Sequence, residues 1–441
     1  MTSYWLRRLL LTLCGCVFWG SGVCQSIQTS IIKSDDGGWS ITYSASKPVQ
    51  RIAFSRNPDD SRTRRWRPVD SGFEVRYANG EEFVVRADKQ SFSRVTLALT
   101  PSYRHLVKDY APFSPFSDGG MLIHSGRFFA CAEVCNDDLN QWAFKLSVPE
   151  QDHILLHGGK HLSTVQWVDS NDGTNVYVGQ QEPIRSNGFL VMIDAGLPAA
   201  IHDSLLTDIP KLTAYFEMKM GAIGAPTAPS LFASYANVPG TSVQGGVLPN
   251  QIFIHWNKDN LEQVADNDRF KFDLLWTFAH EVGHYYQDVG SQRIKPGESW
   301  IHEGHAEFLA YDALTVLYPA AGSYLKNKVA GFSTECSESL ATTSLDHAHE
   351  NSQFGAYYSC GFLIYQAITR STPSNSQSVT SVYTVWDLFK AAVRNDNISA
   401  TAAFMSVITQ RVSDTTVESI SNLVYADCST SKCALAPLLK P

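Results

Sequence analysis

Two residue types, histidine and glutamate, stand at a spacing that could do chemistry. His280-Glu281-Val282-Gly283-His284 fits H-E-x-x-H, and Glu303 follows after eighteen intervening residues. On a helix, positions i and i+4 share a face one turn apart, so His280 and His284 can aim imidazole nitrogens at a single ion. Zinc accepts His nitrogen and carboxylate oxygen, and a catalytic zinc leaves one position open for water. Glu303 is the candidate third ligand, one zinc ion per chain. Glu281 lies about 100° around the helix from His280. It can approach a water at the metal without ligating it.

Two elements must position these groups. Leu274 to Asp288 has no proline and carries an apolar stripe of Leu274, Leu275, Phe278, Val282 and Tyr285, which predicts a helix. Pro296-Gly297 interrupts the chain, and a second helix is expected from about Ser299, carrying Glu303. The metzincin pattern fails, because Gln287 stands at its glycine position and no third histidine follows three residues later.

HEVGH, eighteen residues, then Glu303 within Trp300-Ile301-His302-Glu303-Gly304 resembles the gluzincin peptidases of the aminopeptidase N and glycyl aminopeptidase families. The resemblance implies that His280, His284 and Glu303 bind zinc and that Glu281 is the general base. It also implies a tyrosine that hydrogen-bonds the developing oxyanion. Tyr358-Ser359-Cys360-Gly361 matches the family's Y-x-K-G at tyrosine and glycine, with Cys360 replacing the lysine. Tyr358 is therefore the catalytic tyrosine expected; adjacent Tyr357 is the alternative. Gly245-Gly246-Val247-Leu248-Pro249-Asn250 occupies about the place of the family's G-x-M-E-N edge-strand segment, but without the glutamate that grips a free α-amino group. Aminopeptidase specificity is thereby in doubt, while an edge strand can still bind an extended peptide through its backbone. The glycyl aminopeptidase family often adds a C-terminal PDZ domain, and none is expected in the length left here.

Other histidines and acids invite simpler readings. Glu307, one turn beyond Glu303, is either a partner for a ligand histidine or a surface charge. His302 and His305 either line the pocket or face solvent. His347-Ala348-His349 lies in a polar stretch and reads as solvated loop. His153, His157 and His161 are spaced by four, but Gly158-Gly159 argues against a helix there.

The chain has 441 residues, which predicts two domains, and 44% apolar content allows a sizeable core. Residues 25–195 read as β-rich, with runs from Trp39 to Tyr43, Phe73 to Tyr77, Glu82 to Arg86, Arg94 to Leu99, Trp142 to Val148, Asn175 to Val178 and Phe189 to Ile193. Asn79-Gly80 between two of them is a hairpin signal. Residues 196–441 read as a thermolysin-like, mostly helical peptidase domain. Helices are expected over Ala199 to Met218 with a break or kink at Pro210, and later over Phe354 to Ile368, Val382 to Val393, Ala400 to Gln410 and Thr416 to Tyr425. The fold class expected is α+β.

Net charge is −8, and the one basic run, Arg62, Arg64, Arg65 and Arg67, reads as a solvated loop, so nucleic acid is not expected as a partner. Arg7-Arg8 precedes a short apolar run ending in small residues, the pattern of a secretory signal peptide (1–24) cleaved after Gly22 or Cys24. Twin-arginine export and lipidation at Cys24 match less well. The apolar run is shorter than the ~20 residues a spanning helix needs, and no other stretch qualifies. A secreted or periplasmic protein without a membrane segment is expected. Removing the signal leaves six of nine cysteines, an even number suited to disulfides. Of fifteen connectivities, closeness in sequence suggests Cys131–Cys135 and Cys428–Cys433, which leaves Cys336–Cys360 as a longer bridge. Asn397-Ile398-Ser399 is a glycosylation sequon, meaningful in a eukaryotic host.

The activity expected is hydrolysis of peptide or protein substrates by a zinc peptidase. The competing readings are a secreted zinc-containing binding or adhesion protein and a zinc hydrolase of a non-peptide bond, as in the leukotriene hydrolase of the same superfamily.

Overall fold

The structure, a computed structural model, describes residues 27–106, 109–135, 141–186, 188–224, 228–287, 294–371, 381–395 and 398–426. The signal peptide, Cys428 and Cys433, the 372–380 loop, and Asn397 of the sequon lie outside them.

Alternation builds the N-terminal half. In Ile27–Lys33 the residues Ile27, Thr29 and Ile31 point inward and their neighbours outward, the period of a half-buried strand. This strand pairs antiparallel with Trp39–Val49 and, across more than a hundred residues, in parallel with Trp142–Ser147. Phe73–Ala78 and Glu81–Arg86 form the expected hairpin. Asn79 and Gly80 both take positive φ, 55° and 81°, as a two-residue loop between right-twisted strands requires. Three sheets of this half share one core, in which Tyr43, Phe54, Phe128, Ile123 and Val176 are buried together. His153 and His161 sit on adjacent strands with His157 in the turn between, so their spacing has no helical meaning. The basic run needs correction: Arg62 is buried and ion-paired to fully buried Glu82, while Arg64 remains exposed. A buried guanidinium is tolerable because its charge and donors find partners.

A fourth sheet follows in the order Ile184–Ser186, Phe189–Ile193, Ser230–Ala236, Gln251–Lys258 and Thr241–Leu248. Phe189–Ile193, grouped by texture with the preceding strands, pairs in parallel with Ser230–Ala236 instead. Thr241–Leu248, which contains most of the edge-strand segment expected at Gly245 to Asn250, is the antiparallel edge. One face of this sheet (Ile252, Ile254, Trp256) joins the core under the helices, and the other (Phe253, with Phe232 and Met192) packs on Leu122, Leu155 and Tyr177 of the N-terminal half.

Helices then dominate. Ala199–Met220 runs through Pro210 as one helix. The helix Asp268–Gln287 holds the H-E-x-x-H segment, and Trp300–Leu317 holds Glu303. Gly322–Ser339, which the sequence reading passed over, precedes the tyrosine helix Gly355–Arg370. Val382–Asn395, Ala400–Thr409 and Asp414–Tyr425 complete the described bundle close to their expected places. Disulfides Cys131–Cys135 and Cys336–Cys360 are both present. The architecture is α+β, a β-rich N-terminal region followed by a mostly helical one. No helix among the described residues is long and apolar enough to cross a membrane.

Candidate metal centre

The histidine helix buries Leu274, Leu275, Phe278 and Val282, which turns His280 and His284 together toward the glutamate helix. One His280 nitrogen, one His284 nitrogen and one Glu303 oxygen lie within 4.8 Å of one another. His280 Nε2 stands 3.3 Å from Glu303 Oε2, and His284 Nε2 stands 3.1 Å from the same oxygen. Tetrahedral coordination with ligand bonds of about 2.0–2.1 Å places neighbouring ligand atoms about 3.3 Å apart. Both histidine-to-glutamate distances have that spacing.

Their outer nitrogens are occupied. His284 Nδ1 lies 2.7 Å from Gln287 Oε1. The amide's orientation follows from its other end: Gln287 Nε2 donates to the His302 carbonyl at 2.9 Å, an atom that only accepts. Gln287 Oε1 therefore accepts, and His284 Nδ1 carries a proton. That leaves the His284 Nε2 lone pair facing the Glu303 carboxylate. His280 Nδ1 is 3.1 Å from Glu307 Oε1, off the straight hydrogen-bond line, and Trp276 Nε1 holds the other Glu307 oxygen at 2.7 Å. Glu307 is thus the partner of a candidate ligand, not a surface charge. Two imidazole nitrogens converging on a carboxylate in a buried site demand a positive charge among them. The electrostatics agree. Burial opposes a charged His280, but Glu303 and Glu307 outweigh it and hold the imidazole well above its ordinary value. Burial alone would raise Glu303, yet His284 and the hydrogen-bonded His280 hold it well below the usual carboxylate range. A divalent cation fits this donor set.

Glu281 is buried beside the trio, and burial pushes its carboxyl up against the pull of His280 and then His284. It faces the edge strand, where a Cβ on Gly245 would lie 2.6 Å from Glu281 Oε1. Tyr358 approaches from the other side, its ring 5.9 Å from that of His280. Glu303, and then burial, push its phenol well above the ordinary value, so it remains a donor. Tyr357, one residue earlier, turns away toward His349 and Phe354. His302 Nε2 sits 3.4 Å from Glu303 Oε1 and borders the site. His305 is fully buried, stacked on Trp386, and accepts from Gln287 at Nδ1. His347 is exposed among Asp346 and Glu350, and it lies apart from the trio.

Two contributors escaped sequence reading. Gln287 follows His284 by three, a spacing that places it on the ligand face of the helix, and that was the available signal. Tyr110, from the N-terminal half, packs over Gly246 of the edge strand beside the site; nothing local marks it.

No protein-family model matches the chain, and no curated protein does. Solved structures do match. An aminopeptidase N family protein from Idiomarina loihiensis is 13% identical, with a TM-score of 0.63 over 94% of this chain and 78% of that one. An M1 zinc metallopeptidase from Deinococcus radiodurans is 14% identical, with a TM-score of 0.50 over 91% of this chain and 92% of that one. The chain shares the M1-like fold of these proteins.

Proposed function

We propose that this chain is an exported zinc-dependent peptidase of the gluzincin type, with zinc held by His280, His284 and Glu303. The observation that carries the reading is the pair of imidazole Nε2 atoms 3.3 and 3.1 Å from one Glu303 oxygen, beside buried Glu281. The fold shared with M1 zinc metallopeptidases supports it.

When bound, zinc supplies Lewis-acid polarisation of a water and of the scissile carbonyl. Glu281, raised by its burial, takes the proton of the attacking water and passes it to the leaving amine. Tyr358 donates a hydrogen bond to the oxygen on which charge develops, an interaction made mainly in the transition state. Gln287 and Glu307 hold the two histidines with Nε2 inward. The edge strand Thr241–Leu248 offers backbone groups to an extended peptide. Export rests on the 1–24 leader, and the two disulfides support an oxidising compartment.

The test is metal content together with cleavage of a peptide library. Glu281→Gln keeps stoichiometric zinc and loses turnover; retained turnover would sink the mechanism. Stoichiometric zinc with no cleavage by the wild type would favour the binding-protein reading.

A further inference from the structure

Adjacent glycines on the edge strand face opposite ways. A Cβ on Gly245 would meet Glu281 Oε1 at 2.6 Å, whereas a Cβ on Gly246 would meet Tyr110 Oη at 2.6 Å and its Cε1 and Cζ at 2.7 Å. The strand therefore threads between the Glu281 carboxylate and the Tyr110 phenol, and any larger residue at either position would push one of them away.

Tyr110 is held from several directions. Gln244, on the same face as Gly246, accepts from the Ala111 amide at 3.0 Å and donates to the Asp109 carbonyl at 3.1 Å. The ring stands edge-on to Phe253 at 4.7 Å and to His124 at 5.2 Å. Asp109 is itself fixed by Arg56 at 3.2 Å and Arg127 at 2.8 Å. Yet none of the described residues offers the Tyr110 hydroxyl a hydrogen bond. Burial, and after it the carboxylates of Glu281, Asp172 and Glu303, hold the phenol well above its ordinary value, so it presents a proton.

We propose that Tyr110 is a substrate-binding residue whose hydroxyl donates to a backbone carbonyl of a peptide laid along the edge strand, so that this subsite takes an acylated or internal residue in preference to a free α-ammonium. This rests on the peptidase reading. An extended peptide presents carbonyls at the strand edge, and a fixed phenol donor with no partner of its own matches one. An ammonium would fare worse. Phe253 and Gly246 carry no charge, and burial pushes His124 down to about 3, keeping it neutral. Asp109 already serves two arginines. Gly245 to Asn250 carries no acid. Of the carboxylates that the phenol feels, Asp172 pairs with Arg56, Glu303 faces His280 and His284, and Glu281 lies across the strand beside Gly245, so moving an ammonium there would strip its water without an uncommitted carboxylate in contact.

The experiment compares one peptide sequence with a free and an acetylated N-terminus, using the zinc-loaded wild type and Tyr110→Phe. The wild type is expected to cleave the acetylated peptide with the higher kcat/KM. Tyr110→Phe should lower that preference about 2–10-fold, the worth of one neutral hydrogen bond, mainly through KM. Its Tm should stay within about 1 °C of the wild type, since an unpartnered hydroxyl contributes little to folding. Binding of the acetylated peptide to Glu281→Gln and to the double variant with Tyr110→Phe should show the same ratio in Kd. A wild type that prefers the free terminus, or an unchanged preference and Kd on loss of the hydroxyl, overturns the proposal while leaving the peptidase reading intact. Cleavage of neither peptide overturns the peptidase reading, and the binding ratio then decides for or against Tyr110.

Discussion

Gly304 and Gly361 touch backbone to backbone: a Cβ on Gly361 would lie 2.6 Å from Gly304 Cα and 2.7 Å from the Trp300 carbonyl. This crossing joins the glutamate and tyrosine helices and brings Glu303 and Tyr358, each within three residues of it, to one site. The neighbouring Cys336–Cys360 disulfide ties the tyrosine helix to Gly322–Ser339. Backbone on both sides leaves nothing flexible to yield. Gly361→Ala should therefore destabilise by about 3 kcal/mol and separate Tyr358 from the centre. Gly331→Ala, on an exposed helix face with nothing within 4 Å, should stabilise by up to about 1 kcal/mol. Urea denaturation of the two variants measures the contrast; equal effects would refute the crossing.

Loss of Gln287 should weaken metal binding, and because its buried amide also donates to the His302 carbonyl and to His305 Nδ1 it should cost stability too. Gln287→Leu keeps the volume but removes the acceptor for His284 Nδ1, so the imidazole can turn or change tautomer. Zinc affinity should fall about 10–100-fold, read by competition with a chromophoric chelator. An unchanged affinity would mean that Gln287 is only a packing residue.

Tyr358 and Tyr357 make opposite predictions. Tyr358→Phe should lower kcat on a cleaved peptide about 100-fold or more with KM little changed, and with zinc retained. Tyr357→Phe, turned toward His349, should leave kcat near the wild type. Steady-state kinetics of the pair decide which hydroxyl faces the reaction.

Acid should destabilise the protein through two buried histidines outside the candidate ligand set. Burial pushes His124 and His255 each down to about 3, well below their unfolded value near 6.5. Between those values the unfolded state binds more protons than the folded state, so stability is full above about pH 6.5 and is lost as pH falls toward 3. Each contributes a slope of about 1.4 kcal/mol per pH unit inside that window. His255 sits hydrogen-bonded to Ser234 at 2.8 Å, and His255→Asn should remove about half of the slope that the pair generates. Denaturation midpoints between pH 4 and 6 test this; an unaltered slope would show that His255 charges without penalty.

Much of the candidate centre was legible because its candidate ligands obey local periodicity. His280 and His284 share a helix face by the 3.6-residue turn, and Glu303 begins the next helix after the Pro296-Gly297 break. The Asn79-Gly80 hairpin and the disulfide Cys131–Cys135 were legible for the same reason, that short separations restrict geometry, while Cys336–Cys360 followed only as the pair left over. Arg62 was misread because a run of arginines looks solvated until Glu82, on the strand Glu81–Arg86, is folded against it. Phe189–Ile193 was grouped with the wrong strands because strand partners are set across long loops.

The sequence by itself therefore determined the candidate ligand types, the helix that pairs the two histidines, the candidate base and the expectation of a tyrosine. Tertiary structure alone decided that Glu307 serves His280, that Gln287 sets the tautomer of His284, and that Tyr358 rather than Tyr357 faces the centre. It alone brought Tyr110 across from the N-terminal half to lie over Gly246. Helix periodicity acts over a few residues and is written in local spacing. Which faces meet depends on packing between distant segments, and a backbone contact such as Gly304 against Gly361 leaves in the sequence only two absent side chains.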